Sequence, residues 1–171
     1  MLPSITDNDV FKALGDFLVA VLPTSTPIMQ TQDNLVGMPI SGFVTMNNSS
    51  KKRLATNIHT YEKTTPIVGY KHVMVSTQYN IHLDLYGPDS GMWAATVQTL
   101  FRDEFATSIM PSNIQPLHAD DPIQLPLIDG ERNYTERWKL QVYMQYNPIV
   151  TVAQQFAIAI EPVGNVVEAH F

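Results

Sequence analysis

The sequence predicts an α+β fold, in which a mixed or antiparallel sheet carries two main helices on one face, with a long irregular loop and a projecting hairpin. Two segments place apolar residues at helical spacing, and two others alternate apolar with polar residues. Their order along the chain, helix, strands, helix, strands, is typical of helices gathered on one side of a sheet. The 171 residues correspond to a single domain, residues 1–171, and 44% apolar with 15% charged residues is enough for a core.

The first helix is predicted within residues 1–22. Thr6 is a suitable N-cap, and Pro23 ends the helix. The apolar residues at helical spacing are Val10, Leu14, Phe17, Leu18 and Val21. Charged residues interrupt this stretch at Asp7, Asp9, Lys12 and Asp16, so we expect neither a signal-peptide core nor a membrane span here. The proline-rich residues 23–39 are expected to form an ordered connector.

A hairpin is predicted next, with strands at Phe43–Asn47 and Arg53–Glu62 and a turn over residues 47–50. The densest basic cluster of the chain lies beside this turn, at Lys51, Lys52 and Arg53. It is a candidate contact with a partner, and a solvated hairpin tip explains the same residues.

The strongest strand signal runs from Val73 through Leu85, where every second residue, six of the seven apolar, falls on one face. Such a strand exceeds the usual length, so we expect it to bend or to project as a hairpin arm. Residues 87–90 then end the strand and start a helix that reaches Ser108. Its apolar stripe is Trp93, Val97, Leu100, Phe101 and Phe105, which is typical of packing on a sheet.

Residues 109–137 show no convincing element and contain four prolines. We expect residues 110–137 to be a long loop, too apolar for disorder, that buries side chains against another subunit. Two strands follow: Trp138–Tyr146, ended by Pro148, and a third through Phe156, Ile158 and Ile160. Residues 166–171 are expected to add a short edge strand.

Composition and motifs argue against catalysis and cofactor binding. The chain has no cysteine, and neither a phosphate loop nor a nucleophile elbow is present. His82 with Asp84, and His118 with Asp120 and Asp121, are the best cation ligands, but neither group has the spacing of a metal motif. We therefore predict no catalytic, cofactor or metal site. A net charge of −6 disfavours coating of nucleic acid or of an anionic membrane.

Three stretches resemble the tailed-bacteriophage neck and tail terminator family, often described as phage neck terminator-like. They are residues 34–39 (NLVGMP), residues 78–87 (QYNIHLDLYG), and residues 116–138, which begin PLHADDP, continue LPLIDGE and end ERW. The resemblance spans residues 30–150. It implies a structural virion protein of the tail or neck, assembled in the host cytoplasm, and not an enzyme.

The resemblance also implies partners. Copies of the chain would form a homo-oligomeric ring, a hexamer, on the last ring of tail tube protein. The ring would stop tube growth and receive the head–tail connector, while DNA passes through the lumen without specific binding. The residues carried over from the matched stretches are Asp84, Tyr86, Gly87, Leu117, Asp120, Asp121, Leu125, Pro126, Asp129, Arg137 and Trp138. We expect all of them except Gly87 to be candidates for subunit or partner contact.

Two alternatives stay open at this point. The same composition suits another head–tail or baseplate subunit. A small soluble ligand-binding domain or enzyme would instead show a concave pocket with converging polar groups.

Overall fold

The computed structural model describes residues 1–31, 39, 42–65, 67–125, 127–128 and 134–156. It confirms the predicted α+β class, because three helices pack on a mixed sheet. Within these ranges no helix combines the length and the apolar character that a membrane span needs.

Helix α1 (Asp7–Val21) confirms the predicted N-terminal helix. Its first turn is closed by a capping box, because the Thr6 hydroxyl accepts from the Asp9 amide and the Asp9 carboxylate accepts from the Thr6 amide at 2.7 Å. Its apolar face is fully buried at Val10, Leu14, Phe17 and Leu18.

The main sheet has the strand order β1-β2-β5-β10-β6. Strand β7 also pairs with β10, at residues 138–139, whereas β6 pairs with residues 142–146. Its strands are β1 (Ile28–Gln30), β2 (Phe43–Arg53), β5 (Thr77–Tyr86), β6 (Ile114–Ala119), β7 (Ile123–Gln124) and β10 (Arg137–Tyr146). β1 runs parallel to β2, whereas β5 is antiparallel to both β2 and β10. Strand β10 confirms the predicted strand at residues 138–146.

The second helical segment consists of two helices, α2 (Ser90–Phe101) and α3 (Glu104–Ile109), whereas the spacing predicted a single helix. The chain turns at Arg102, and the Asp103 carboxylate then accepts from the Phe105 amide as the N-cap of α3. The helices and the sheet share one core, which includes Phe17, Phe101 and alternate residues of β5 and β10.

A second sheet of three strands extends the main sheet, and we call it the arm. It consists of β3 (Ile58–Lys63), β4 (Val68–Met74) and β11 (Ile149–Gln155), in the order β11-β4-β3. These strands continue β2, β5 and β10 across breaks at residues 54–57, 75–76 and 147–148. The predicted strand Val73–Leu85 is therefore two strands in two sheets, and the expected projection is confirmed. Pro148 has no N–H for the ladder, and its carbonyl instead accepts from Val75 at 3.4 Å.

Two further predictions were wrong in detail. The expected turn at 47–50 lies inside β2, because Asn48 and Ser50 pair with β5 around a bulge, and the chain leaves the sheet only after Arg53. Strand β1 lies within the predicted connector. The predicted third strand through Phe156, Ile158 and Ile160 lies outside the described residues apart from Phe156, which directly follows β11, and so does the predicted edge strand at residues 166–171.

The predicted loop 110–137 contains four strands among its described residues. β6 and β7 pair with β10, and β8 (Leu127–Ile128) pairs with β9 (Tyr134–Thr135). Ile114 and Ala119 are buried in the chain's own core. The prolines made these strands hard to predict, because proline usually argues against a strand. An edge strand tolerates proline where the position of the missing N–H faces away from the neighbouring strand.

Candidate functional site: surfaces for assembly

Asp84 and Arg137, two of the predicted contact residues, pair with each other within the subunit. The Asp84 carboxylate accepts from the Arg137 guanidinium at 2.8 and 3.1 Å and from the Asn47 amide at 3.0 Å. The Asp84 side chain is only 5% exposed, against 27% for that of Arg137. The ion pair therefore links β2, β5 and β10 at one end of the main sheet.

Tyr86 and Trp138 lie at the same end and also contact their own chain. The Tyr86 ring stacks on Phe43 with centroids 4.4 Å apart, and the Arg137 guanidinium lies 5.6 Å from its centroid. The Trp138 indole donates to the Glu136 carboxylate at 2.9 Å. These contacts show what the residues do within the subunit, and a contact of Tyr86 or Trp138 with a partner remains a prediction.

Gly87 follows β5 with a φ of 110°, a region that favours glycine. A Cβ at this position would lie 2.8 Å from the Gly42 Cα, which leaves no room for a side chain. This residue of the matched stretch therefore allows the strand-to-helix turn into α2.

The polar face of the main sheet holds two buried side-chain atoms, Thr45 Oγ1 and His82 Nδ1, that have no hydrogen-bond partner among the described residues. Burial lowers the pKa of His82 below its ordinary value, the nearby Lys139 lowers it further, and Asp84 partly offsets both. His82 and Asp84 lie on neighbouring strand positions of one face, yet Asp84 already has its partners.

The edge formed by β6 carries the predicted residues Asp120 and Asp121. Asp120 accepts from the Tyr143 hydroxyl at 2.8 Å, which raises the Tyr143 pKa, and the His118 ring stacks on that tyrosine at 4.0 Å. Asp121 accepts from the Gln98 amide at 2.6 Å, and its side chain is 88% exposed. The carboxylates thus lie at the surface, tethered to β10 and α2.

Leu117 and Leu125 are the exposed apolar residues among the predicted contacts. Leu117 is 41% exposed and Leu125 is 40% exposed, so neither contributes to the core of its own subunit. Neighbouring Ile123 is 63% exposed. Pro126 and Asp129 lie outside the described residues.

The residues of the basic cluster are the last three of β2, and their side chains make different contacts. Lys51 pairs with Asp7 of α1 at 2.5 Å, and its amine lies 4.9 Å from the Tyr79 ring centroid. Arg53 donates to the Ala55 carbonyl at 3.2 Å and to the Asn57 side chain. Lys52 is exposed, and it is the lysine of the cluster with the clearest access to a partner.

The arm carries many exposed apolar residues, and the sequence alone did not identify them as a site. Of the sixteen large apolar residues that are exposed in the described part of the chain, eight belong to the arm or to its base: Leu54, Ile58, Tyr61, Ile67, Val68, Tyr70, Ile149 and Val152. No helix of the described ranges packs on the arm as α1 and α2 pack on the main sheet. The signal available in the sequence was the run Ile67, Val68 and Tyr70 ahead of the alternating strand.

Cation ligands do not converge in the described part of the chain. No group of three or more His, Asp or Glu side chains there has the arrangement of a metal site. His118 and Asp120 lie 3.9 Å apart, and both carry other contacts.

The fold and these surfaces define a small α+β structural subunit, with one helix-covered sheet and an apolar arm that lies outside the core. Residues 8–170 match the family described as phage neck terminator protein. The chain belongs to this family, as the resemblance implied.

Solved structures agree with the family at the level of the fold. Twelve chains match, among them the sheath/tube terminator of an extracellular contractile injection system (PVC), determined by cryo-EM in the extended state. That match has a TM-score of 0.59 and 14% identity, and it covers 99% of this chain and 65% of the other. The chain thus spans about two thirds of that terminator's length. No curated protein matches the sequence.

Proposed function

We propose that six copies of the chain form a ring on the end of a phage tail tube, where the ring stops tube growth and receives the head–tail connector. The observation that carries the proposal is the family match over residues 8–170. The contractile-system neighbour is named as a terminator of both sheath and tube, which supports contact with tube and sheath components here as well. The ring is assembled in the host cytoplasm, becomes part of the virion and catalyses no reaction.

A terminator ring surrounds the path of the genome, and the charge of the chain suits this position. At −6 per copy, six copies carry six times that charge, or −36. Carboxylates that face the lumen repel phosphates, so DNA slides through without being held. Tight retention of DNA would require a surplus of lysine and arginine instead.

Ring closure needs two different surfaces on each copy that fit each other. The exposed Leu117 and Leu125 on the β6–β7 edge suit one of these surfaces. Asp120 and Asp121 at the same edge supply hydrogen-bond acceptors at its rim.

Negative-stain microscopy of the purified protein, alone and with isolated tail tubes, tests the proposal. We expect rings with a central hole, six-fold averages, and rings that cap tube ends. A monodisperse monomer that never binds tube ends would contradict it. Sedimentation velocity over a range of concentrations gives the ring mass independently.

A further inference from the structure

The arm cannot bury its apolar residues within its own three strands. Three antiparallel strands form a single layer, and such a layer needs a packed face for independent stability. In the described part of the chain, β3 is exposed along its whole length and half of the exposed large apolar residues lie on the arm or at its base. Apolar patches of this kind mark surfaces that are covered in the working assembly.

One face of the arm combines apolar and basic side chains. Tyr61, Lys71 and Val152 form one cross-strand row, with Tyr61 57% and Val152 37% exposed. The Lys71 amine lies 6.0 Å from the Tyr61 ring centroid. In the next row Lys63 opposes Gly69, and among the described residues neither lysine has a carboxylate partner.

The helical layer carries the complementary charges. Asp103 and Glu104 begin α3, and within the described ranges no basic side chain pairs with either. With Phe105, Thr107 and Ser108 they line an open cleft of about 390 Å³. Phe105 is 37% exposed, so this cleft, like the arm face, joins an aromatic ring to unpaired charges.

We propose that the arm of one copy docks on the α3 cleft of the next copy, with Lys63 and Lys71 facing Asp103 and Glu104. The occupant of the arm face is thus a second copy of this chain. The contact is heterologous, because arm and cleft are different surfaces, and repeated contacts of this type form a ring when the rotation between copies closes. The inference rests on the proposed ring and names the surfaces that would form it.

The size of the arm sets the share of the contact that it supplies. Strands of about seven residues span about 23 Å, and three of them are about 14 Å wide, so one face offers about 300 Å². A stable interface takes about 800 Å² per partner. The arm therefore anchors the contact, and surfaces on the body, including the β6–β7 edge with Leu125, complete it.

Charge reversal on the two surfaces tests the docking. We expect Lys63→Glu/Lys71→Glu to weaken association at least tenfold by sedimentation velocity, because like charges then meet. Glu104→Lys/Thr107→Lys should do the same from the other side, and Asp103 is left unchanged because it caps α3. Combining all four substitutions in one chain should restore the ring.

The matched control is Lys12→Glu, which reverses an exposed lysine on α1, away from the arm. It should leave the ring intact, and thermal melts of all variants verify the fold. Rings that persist in both reversed variants would overturn the docking and leave the ring proposal standing. A wild-type chain that stays monomeric at every concentration would overturn both.

A labelling experiment separates a second copy from other occupants. The chain has no cysteine, so Tyr61→Cys introduces a single reactive thiol. We expect maleimide to react rapidly with it in the monomeric Glu104→Lys/Thr107→Lys background and slowly in the ring. Protection already in the monomer would show that the arm face is covered by its own chain, and equal reactivity in both states would show that the ring leaves it open. Either result overturns the docking.

Discussion

At the scale of single residues, Asp84 and Arg137 belong to the matched sequence stretches and have a structural role within the subunit. Both residues were expected at an interface, and the structure pairs them across β5 and β10 with Asp84 nearly inaccessible. A carboxylate in this environment needs its partner, because an unpaired buried charge costs far more than a solvated one.

We predict that Arg137→Ala destabilises the subunit by about 2–3 kcal/mol, somewhat less than a fully buried pair would lose, because the arginine is partly exposed. Urea unfolding of the monomer measures it. Arg137→Lys keeps the positive charge but loses the planar guanidinium that donates two hydrogen bonds to Asp84, so it should recover part of the lost stability. A smaller ring in Arg137→Ala would then follow from damage to the subunit. An unchanged unfolding midpoint would contradict the prediction.

His82 makes the stability of the subunit depend on pH. The pKa of His82 is lower in the folded chain than in the unfolded one. As the pH decreases below about 6.5, the unfolded chain therefore binds a proton at His82 more readily than the folded chain does, and the stability of the subunit falls. We expect His82→Gln to show a smaller loss between pH 7 and pH 5 than the wild type. Parallel thermal melts at both values measure this, and equal losses would show that His82 does not contribute.

At the scale of elements, β5 has the two faces that its alternation predicted. Tyr79, Ile81, Leu83 and Leu85 are fully buried beneath the helices, whereas Asn80 and His82 are half-buried on the opposite face. The period of two was sufficient for this assignment, because adjacent side chains of a strand must point to opposite sides.

Substitution on the two faces should therefore give opposite results. Ile81→Asp places a charge in the core without a partner, and we expect it to prevent folding. Asn80→Asp, one position away, should cost less than about 1 kcal/mol. Circular dichroism and the soluble yield of both variants check this, and a folded Ile81→Asp chain would refute the assigned register.

For the β6–β7 edge (residues 114–125), the predicted local structure was wrong, whereas the predicted subunit contact stays a prediction. The segment is paired with β10 rather than irregular, yet Leu117, Ile123 and Leu125 remain exposed on it. An apolar side chain in water contributes little to the stability of its own subunit, whereas the same side chain in a contact is buried.

We predict that Leu125→Asp shifts the ring toward smaller species while the subunit melts within about 1 kcal/mol of the wild type. Analytical ultracentrifugation measures the first effect and thermal unfolding the second. Val19→Asp, at an exposed apolar residue of α1 outside both proposed contacts, is the comparison for a general effect of an added charge. An unaltered oligomer would argue against this edge as a contact.

At the scale of the whole molecule, the described charges are unevenly distributed. Carboxylates are concentrated on the helices, at Asp9, Asp16, Asp103 and Glu104, while Lys63 and Lys71 lie on the arm. Opposite charges on different parts of one subunit favour association of copies in one orientation.

The same charge balance predicts weak interaction with DNA. With a net charge of −6, the subunit should not shift duplex DNA in a mobility assay at about 0.15 M salt, because affinity for phosphates depends on the release of counterions by basic residues. A salt-sensitive shift at micromolar protein would contradict a lumen that lets the genome pass freely.

The sequence by itself determined the elements with strong periodicity, namely α1, β5 and β10, since the side chains that a helix or strand buries recur at 3.6 or 2 residues. It also contained the matched stretches that indicated the terminator family. Only the tertiary structure decided the pairing of Asp84 with Arg137, the strands among the prolines, and the break that separates the arm from the main sheet. These features depend on partners distant in the chain: β10 lies between β5 and β6, and Pro148 ends one sheet opposite residues 75 and 76. Local spacing carries no information about such neighbours, because each hydrogen bond or ion pair there joins residues that only folding brings together.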